Sequence, residues 1–206
     1  MCADSVQIGI YICNARSLKN KVTALHDLIY DVNVSHKIFC FTESWLHPNF
    51  ADNLLDPKNL YNIIRCDRVT GRGGGVCMFA HKELDINPVD INCNVSGVEA
   101  LGVDISVCRI LLFYRAPDTD ISSFSIFIFK TCSSTKKFCI LLGDFNCPSI
   151  DWNNYTCQGN SSEAVFLNTL LDLGFSQFVK SPTRKGNVRK FISRHHYYST
   201  VDSINE

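Results

Sequence analysis

The sequence predicts an α/β fold, and three observations carry that prediction. Apolar strand-like runs alternate with helix-like stretches. The middle of the chain holds several short strands separated by short turns. A buried strand near residue 140 ends in Gly143-Asp144-Phe145-Asn146, which delivers a polar pair to a strand end.

Residues 6–13 form the first predicted strand, ending at Asn14-Ala15-Arg16-Ser17. Ser17 is the expected N-cap of a helix running to about Tyr30, with Val22, Leu25, His26, Leu28 and Ile29 as its apolar stripe. Residues 37–41 form a second strand that delivers Thr42-Glu43-Ser44-Trp45. Two strands joined by one helix predict a parallel pair, so Asn14 and Glu43 should emerge at the same sheet edge. A carboxylate and an amide arriving together there suit a divalent cation such as Mg²⁺, which prefers oxygen ligands.

The stretch 47–59 turns polar, with Pro48 and Pro57, and is expected to be a loop; 61–66 is a short strand. The cluster Gly71-Arg72-Gly73-Gly74-Gly75 lacks a following Gly-Lys-Ser/Thr and precedes a strand at 76–80. It therefore reads as a flexible loop opening that strand, not a nucleotide cradle. Strands are expected at 84–89, 98–105 and 109–114, close enough in sequence to be antiparallel. The last of these ends in Tyr114-Arg115-Ala116-Pro117, where a phenol and a guanidinium can both hydrogen-bond a phosphate oxygen. Position places a helix at 120–132. An aromatic loop surrounds Trp152, a helix covers 162–173 and closes at Gly174, and a final short strand is expected at 175–179.

The central run 138–148 reads Phe-Cys-Ile-Leu-Leu-Gly-Asp-Phe-Asn-Cys-Pro. Gly143 allows a sharp turn where the strand ends, and in open α/β sheets that edge borders the ligand crevice. Asp144 and Asn146 are two residues apart and can project the same way from extended backbone. One reading is a phosphate site, with the carboxylate taking a proton from water or holding a divalent cation and the amide NH₂ donating to a non-bridging oxygen. The other is a strand followed by an Asx-turn.

Composition narrows the class. The 206 residues are 46% apolar and 19% charged with zero net charge, which suits one large globular domain spanning 1–206. Nothing resembles a membrane span or a signal peptide, so the expected location is intracellular, in nucleus or cytoplasm. Eleven cysteines form no C-x-x-C pair, and Cys13, Cys40, Cys77, Cys108 and Cys139 lie in apolar runs, which predicts reduced buried thiols. Between Lys180 and Arg194 the chain carries six cations, Lys180, Arg184, Lys185, Arg189, Lys190 and Arg194, and no acid. This segment can contact phosphates or serve as a solvated tail.

Asn14-Ala-Arg-Ser, Thr42-Glu-Ser-Trp, Gly73-Gly-Gly-Val, Tyr114-Arg-Ala-Pro, Gly143-Asp-Phe-Asn and Ser181-Pro-Thr-Arg occur in this order over residues 6–187. The set resembles the endonuclease/exonuclease/phosphatase superfamily, and most closely the endonuclease domain of non-LTR retrotransposon reverse transcriptases. The resemblance implies a four-layer α/β sandwich, two mixed β-sheets flanked by helices, with the last strand or strands missing from this chain. It also implies nicking of DNA by Mg²⁺- or Mn²⁺-dependent phosphodiester hydrolysis. Glu43 matches a metal-binding glutamate and Asn14 the asparagine beside it. Asp144 matches the aspartate that activates water; Asn146 and Tyr114 match residues that hold the scissile phosphate. Thr183, like Arg115, is expected to contact substrate.

Lys190 stands where the family has an aspartate, and no Ser-Asp-His triplet occurs through Glu206. His195 and His196 are expected to be an exposed pair, and 188–206 to be divergent or poorly ordered. Weak or absent turnover is therefore expected, because the family's histidine polarises the phosphate opposite the metal. Alternatives are a non-catalytic DNA-binding or interaction module using 180–194, and a phosphatase of small phosphoesters.

Overall fold

A computed structural model describes residues 8–31, 36–106, 108–158 and 161–179. The first strand, β1 (Gly9–Asn14), is followed by a 3-10 turn at Lys19–Lys21 and by α1 (Val22–Ile29). Then come β2 (His36–Thr42), β3 (Tyr61–Cys66), β4 (Val76–His81), β5 (Asn87–Val89), β6 (Val98–Ile105) and β7 (Cys108–Arg115). The rest comprises α2 (Ile121–Ser133), β8 (Phe138–Asp144), β9 (Ile150–Asp151), β10 (Thr156–Cys157) and α3 (Glu163–Asp172).

Two four-stranded sheets result, ordered β1-β2-β4-β3 and β5-β6-β7-β8. Both are mixed. Strand β1 runs parallel to β2 and β7 parallel to β8, while β2/β4, β3/β4, β5/β6 and β6/β7 are antiparallel. The predicted βαβ start and antiparallel middle are both present.

Strands β1, β4, β7 and β8 read as near-continuous apolar runs because both of their faces are covered. Ile10, Ile12, Ile38, Cys40, Met78, Leu101, Val103, Ile110, Leu112, Ile140 and Leu142 meet in one cluster between the sheets. Their alternate neighbours Tyr11, Cys13, Phe39, Phe41 and Phe79 face α1 through Leu25 and Ile29. On the other side Leu111, Phe113 and Leu141 meet Phe124, Ile128 and Phe166 of α2 and α3. This is the helix-sheet-sheet-helix sandwich that the resemblance implies.

The helices illustrate which local signals operate. Asp120 caps α2 by accepting from the N–H groups of Ser122 (3.4 Å) and Ser123 (2.8 Å), the stronger bond of a cap worth about 1 kcal/mol. Gly174, at φ +72°, closes α3, with its N–H donating to Leu171 and that of Phe175 to Leu170. Ser17, by contrast, is no helix cap. It is buried at φ +84° and its N–H donates to the Glu43 carbonyl at 2.9 Å, so the chain is tied to the end of β2 before α1 begins.

Other expectations need similar correction. The stretch 175–179 is not a strand: the N–H groups of Phe175, Gln177 and Val179 go to Leu170, the Tyr155 hydroxyl and the Gln177 side chain. The expected strand at 84–89 shortens to β5, because the Leu84 N–H closes a turn on His81. The aromatic loop is a small β9–β10 hairpin around buried Trp152. All the described cysteines are free, and burial pushes the Cys108 thiol up to about 12. Among the described residues no helix is long and apolar enough to cross a membrane.

Two predictions follow from packing. Gly143 in β8 has φ +149°, and an added Cβ would lie 2.0 Å from the Phe113 carbonyl oxygen. Gly143→Ala should therefore destabilise the chain by at least about 2 kcal/mol in urea unfolding, through forced separation of β7 from β8. Burial also raises the phenols of Tyr30 and Tyr61 to about 12, with Asp56 adding to both shifts. The fold thus favours the neutral phenols: their contribution is fully present below pH 10 and is lost as pH rises from 10 toward 12. Tyr61→Phe removes a 2.7 Å bond to the Ile29 carbonyl. It should cost about 1 kcal/mol at neutral pH while making that alkaline decline shallower.

Candidate active site

Side-chain alternation decides what reaches the open edge between the sheets. Asn14, Thr42, Tyr114 and Asp144 share the phase of the residues filling the inter-sheet core, and each stands at or beside the C-terminal end of β1, β2, β7 or β8. The edge where those strands finish is therefore lined by a run of polar groups above an apolar floor. Tyr114 and Asp144 face one another in the β7/β8 register.

Asn14 joins the groups from the two sheets. Its Nδ2 donates to Glu43 Oε1 at 2.5 Å and to Asp144 Oδ2 at 2.9 Å. Its Oδ1 accepts from the Arg16 N–H at 3.2 Å, which fixes the amide's orientation. One amide thus holds two carboxylates that would otherwise repel, one of them buried to 2% exposure. In this arrangement Asn14 acts as a donor between carboxylates, where the resemblance implies a place beside the metal.

Backbone strain concentrates at the same edge. Arg16, Ser17, Glu43, Trp45 and Asn146 all have positive φ without being glycine. The turn after β2 is held by Ala15 and Ser17 donating to the Thr42 and Glu43 carbonyls. Asn146 adopts φ +48° and so does not continue β8; its Nδ2 donates to the Arg115 carbonyl at 2.7 Å. Asp144 and Asn146 therefore approach the edge through a turn, and the expected common projection from extended backbone is not what brings them there.

The electrostatics of Tyr114 fit a proton donor. Burial pushes its phenol up to about 12, the Glu43 and Asp144 carboxylates add to the shift, and the Arg68 guanidinium opposes it. At neutral pH the O–H remains intact. Arg115 is 4% exposed and its Nη1 donates to the Ala116 and Pro117 carbonyls, shaping the loop after β7. Thr183, the basic segment 180–194 and His195 and His196 lie outside the described residues.

Glu43 and Asp144 offer only carboxylate oxygens, and no group of three or more His, Cys, Asp or Glu side chains among the described residues is arranged to hold a metal. Two carboxylates and an amide, with no thiolate or imidazole grouped with them among the described residues, suit the oxygen preference of Mg²⁺ or Mn²⁺ and do not fit a zinc centre. Sequence reasoning passed over Arg68, Glu99 and the packing of Gly74 and Gly75. A signal was available: Glu99 is a charge near the start of a strand whose next four residues are uncharged, Ala100 to Val103, and a carboxylate there demands a partner.

Residues 108–204 match the family described as Endonuclease-reverse transcriptase. Among solved structures, the endonuclease domain of TRAS1, a telomere-specific non-LTR retrotransposon, is similar at a TM-score of 0.54 and 16% identity, covering 89% of this chain and 80% of that one. A 3'-5' exonuclease from Neisseria meningitidis is similar at 0.58 and 17% identity, covering 82% and 71%. An AP endonuclease from Archaeoglobus fulgidus is similar at 0.57 and 13% identity, covering 82% and 71%. No curated protein matches the sequence. The chain thus has the endonuclease/exonuclease/phosphatase fold, and its C-terminal half matches the endonuclease-reverse transcriptase family.

Proposed function

We propose that this chain is a DNA endonuclease of the non-LTR retrotransposon type, hydrolysing phosphodiesters with Mg²⁺ or Mn²⁺. The observation that carries this reading is the Asn14 amide drawing Glu43 and Asp144 together beside a neutral Tyr114. The family match and the nuclease neighbours support DNA as the substrate. So does the surface near the site, where exposed Arg16 follows Asn14 and exposed Arg72 lies 5.8 Å above the Trp45 ring.

Glu43 is the proposed metal ligand, with Asn14 holding its carboxylate in place. A bound divalent cation would neutralise negative charge on the phosphate. Asp144 takes the proton from the attacking water, and its bond from Asn14 holds the carboxylate in place for that task. Tyr114 donates its O–H to a non-bridging phosphate oxygen. Asn146 has a second N–H beyond the one given to Arg115, and that hydrogen serves the same phosphate. Arg115 acts through the loop it shapes, and Thr183 is the proposed threonine contact to substrate.

Nicking of supercoiled plasmid with Mg²⁺ tests the reading. The parent chain should nick, and chelation should stop it. Glu43→Ala and Asp144→Ala should each lose roughly 100-fold or more, and Tyr114→Phe roughly 10-fold, with folding intact by circular dichroism. Equal rates in parent and variants would exclude this site as the source of activity. Hydrolysis of small phosphoesters by a chain that leaves DNA uncut would replace the endonuclease reading with a phosphatase.

A further inference from the structure

Glu99 interrupts the apolar strand β6, is 7% exposed, and pairs in register with Tyr114 of β7. A carboxylate so placed needs several donors. It has three: Arg68 Nε at 2.7 Å to Oε1, Arg68 Nη2 at 3.1 Å to Oε2, and the Gly75 N–H at 3.1 Å to Oε2. The two Arg68 bonds form a fork that defines the guanidinium plane, and that plane lies 5.4 Å from the centre of the Tyr114 ring.

The same ion pair reaches the other side of the site through the glycine loop. A Cβ on Gly74 would lie 2.4 Å from Arg68 Nε, and one on Gly75 would lie 2.6 Å from Ser44 Oγ, so the guanidinium and the hydroxyl rest directly on glycine backbone. The carbonyls of Gly75 and Gly74 accept from the N–H groups of Ser44 and Trp45, both at 3.1 Å. Ser44 and Trp45 immediately follow Glu43 in the turn where Glu43 itself stands at φ +51°. A continuous path therefore runs from Tyr114 through Arg68, Glu99 and the 74–75 backbone to the residues that aim Glu43.

We propose that Arg68 and Glu99 are positioning residues whose ion pair clamps the glycine loop between Tyr114 and the Glu43 turn. Their kinetic consequence rests on the hydrolytic reading above; the clamp itself does not. It locks the metal-side and phosphate-side groups, which come from different sheets, into one arrangement. Arg68 and Glu99 need touch neither metal nor substrate for this. A shift of about 1 Å in either group is enough to slow the reaction by roughly two orders of magnitude.

Two full-chain variants test the clamp: Arg68→Lys keeps a charge without the fork, and Glu99→Gln keeps the shape without the charge. In the substrate-free chain, amide exchange at Ser44, Trp45 and Gly75 should quicken by about tenfold or more while Leu141 and Leu142 in β8 stay protected. In plasmid nicking, kcat should fall roughly 100-fold with KM changed less than about threefold. If a single variant loses protection in β8, the paired Arg68→Met/Glu99→Leu chain, with no buried charge left unmatched, takes its place under the same readouts. Unchanged exchange at Ser44, Trp45 and Gly75 overturns the clamp. A raised KM with unchanged kcat overturns positioning in favour of a direct substrate contact. A parent chain that nicks no DNA defeats the proposed function, and exchange alone then decides the clamp.

Discussion

The candidate site depends on one amide. Two carboxylates at the same sheet edge repel unless something between them donates hydrogen bonds, and Asn14 Nδ2 does so at 2.5 Å to Glu43 and 2.9 Å to Asp144. The donor comes from β1, one carboxylate from the turn after β2, and the other from the end of β8 in the opposite sheet. The bond to Asp144 therefore also joins the two sheets at their polar edge, above an inter-sheet core of aliphatic side chains. A divalent cation would meet the same pair with the repulsion already reduced.

The sandwich makes this meeting of residues possible without long loops. Strands β1, β7 and β8 each bury both faces, so alternate residues serve two different cores, and the last residue in the inter-sheet phase lands at the rim. Asn14, Tyr114 and Asp144 reach the rim by that rule. Glu43 does not: it comes one residue after Thr42 and is brought round by a left-handed turn at φ +51°. The hydrogen bonds from Ser17, Ser44 and Trp45 around that turn show where the fold spends its irregular backbone, and why the glycine loop lies against it.

Much of this was legible in the sequence because apolar continuity and turn residues are local signals. Strands β3 and β6 appear with the expected bounds, and the pairing of β1 with β2 follows from the helix between them. The parts that were not legible are those decided by distant partners. Ser17 looks like a helix cap, yet the Glu43 carbonyl captures its N–H. Residues 175–179 look like a strand, yet their N–H groups are satisfied by Leu170, Tyr155 and Gln177. Arg115 offers a fork to a phosphate in the sequence, and the structure adds that its Nη1 donates to two neighbouring carbonyls. The meeting of Asn14 with Glu43 was expected from sheet order, whereas the bond from Asn14 to Asp144 crosses 130 residues and requires both sheets to be folded.

Paramagnetic broadening by Mn²⁺ tests most directly whether this edge holds a divalent cation. With substoichiometric Mn²⁺ added to the ¹⁵N-labelled chain, the side-chain amide of Asn14 and the backbone amides of Glu43, Tyr114 and Asp144 should broaden first, and excess Mg²⁺ should restore them. Broadening centred elsewhere on the chain, or no selective broadening at all, would contradict a metal-dependent site built on the Asn14 bridge.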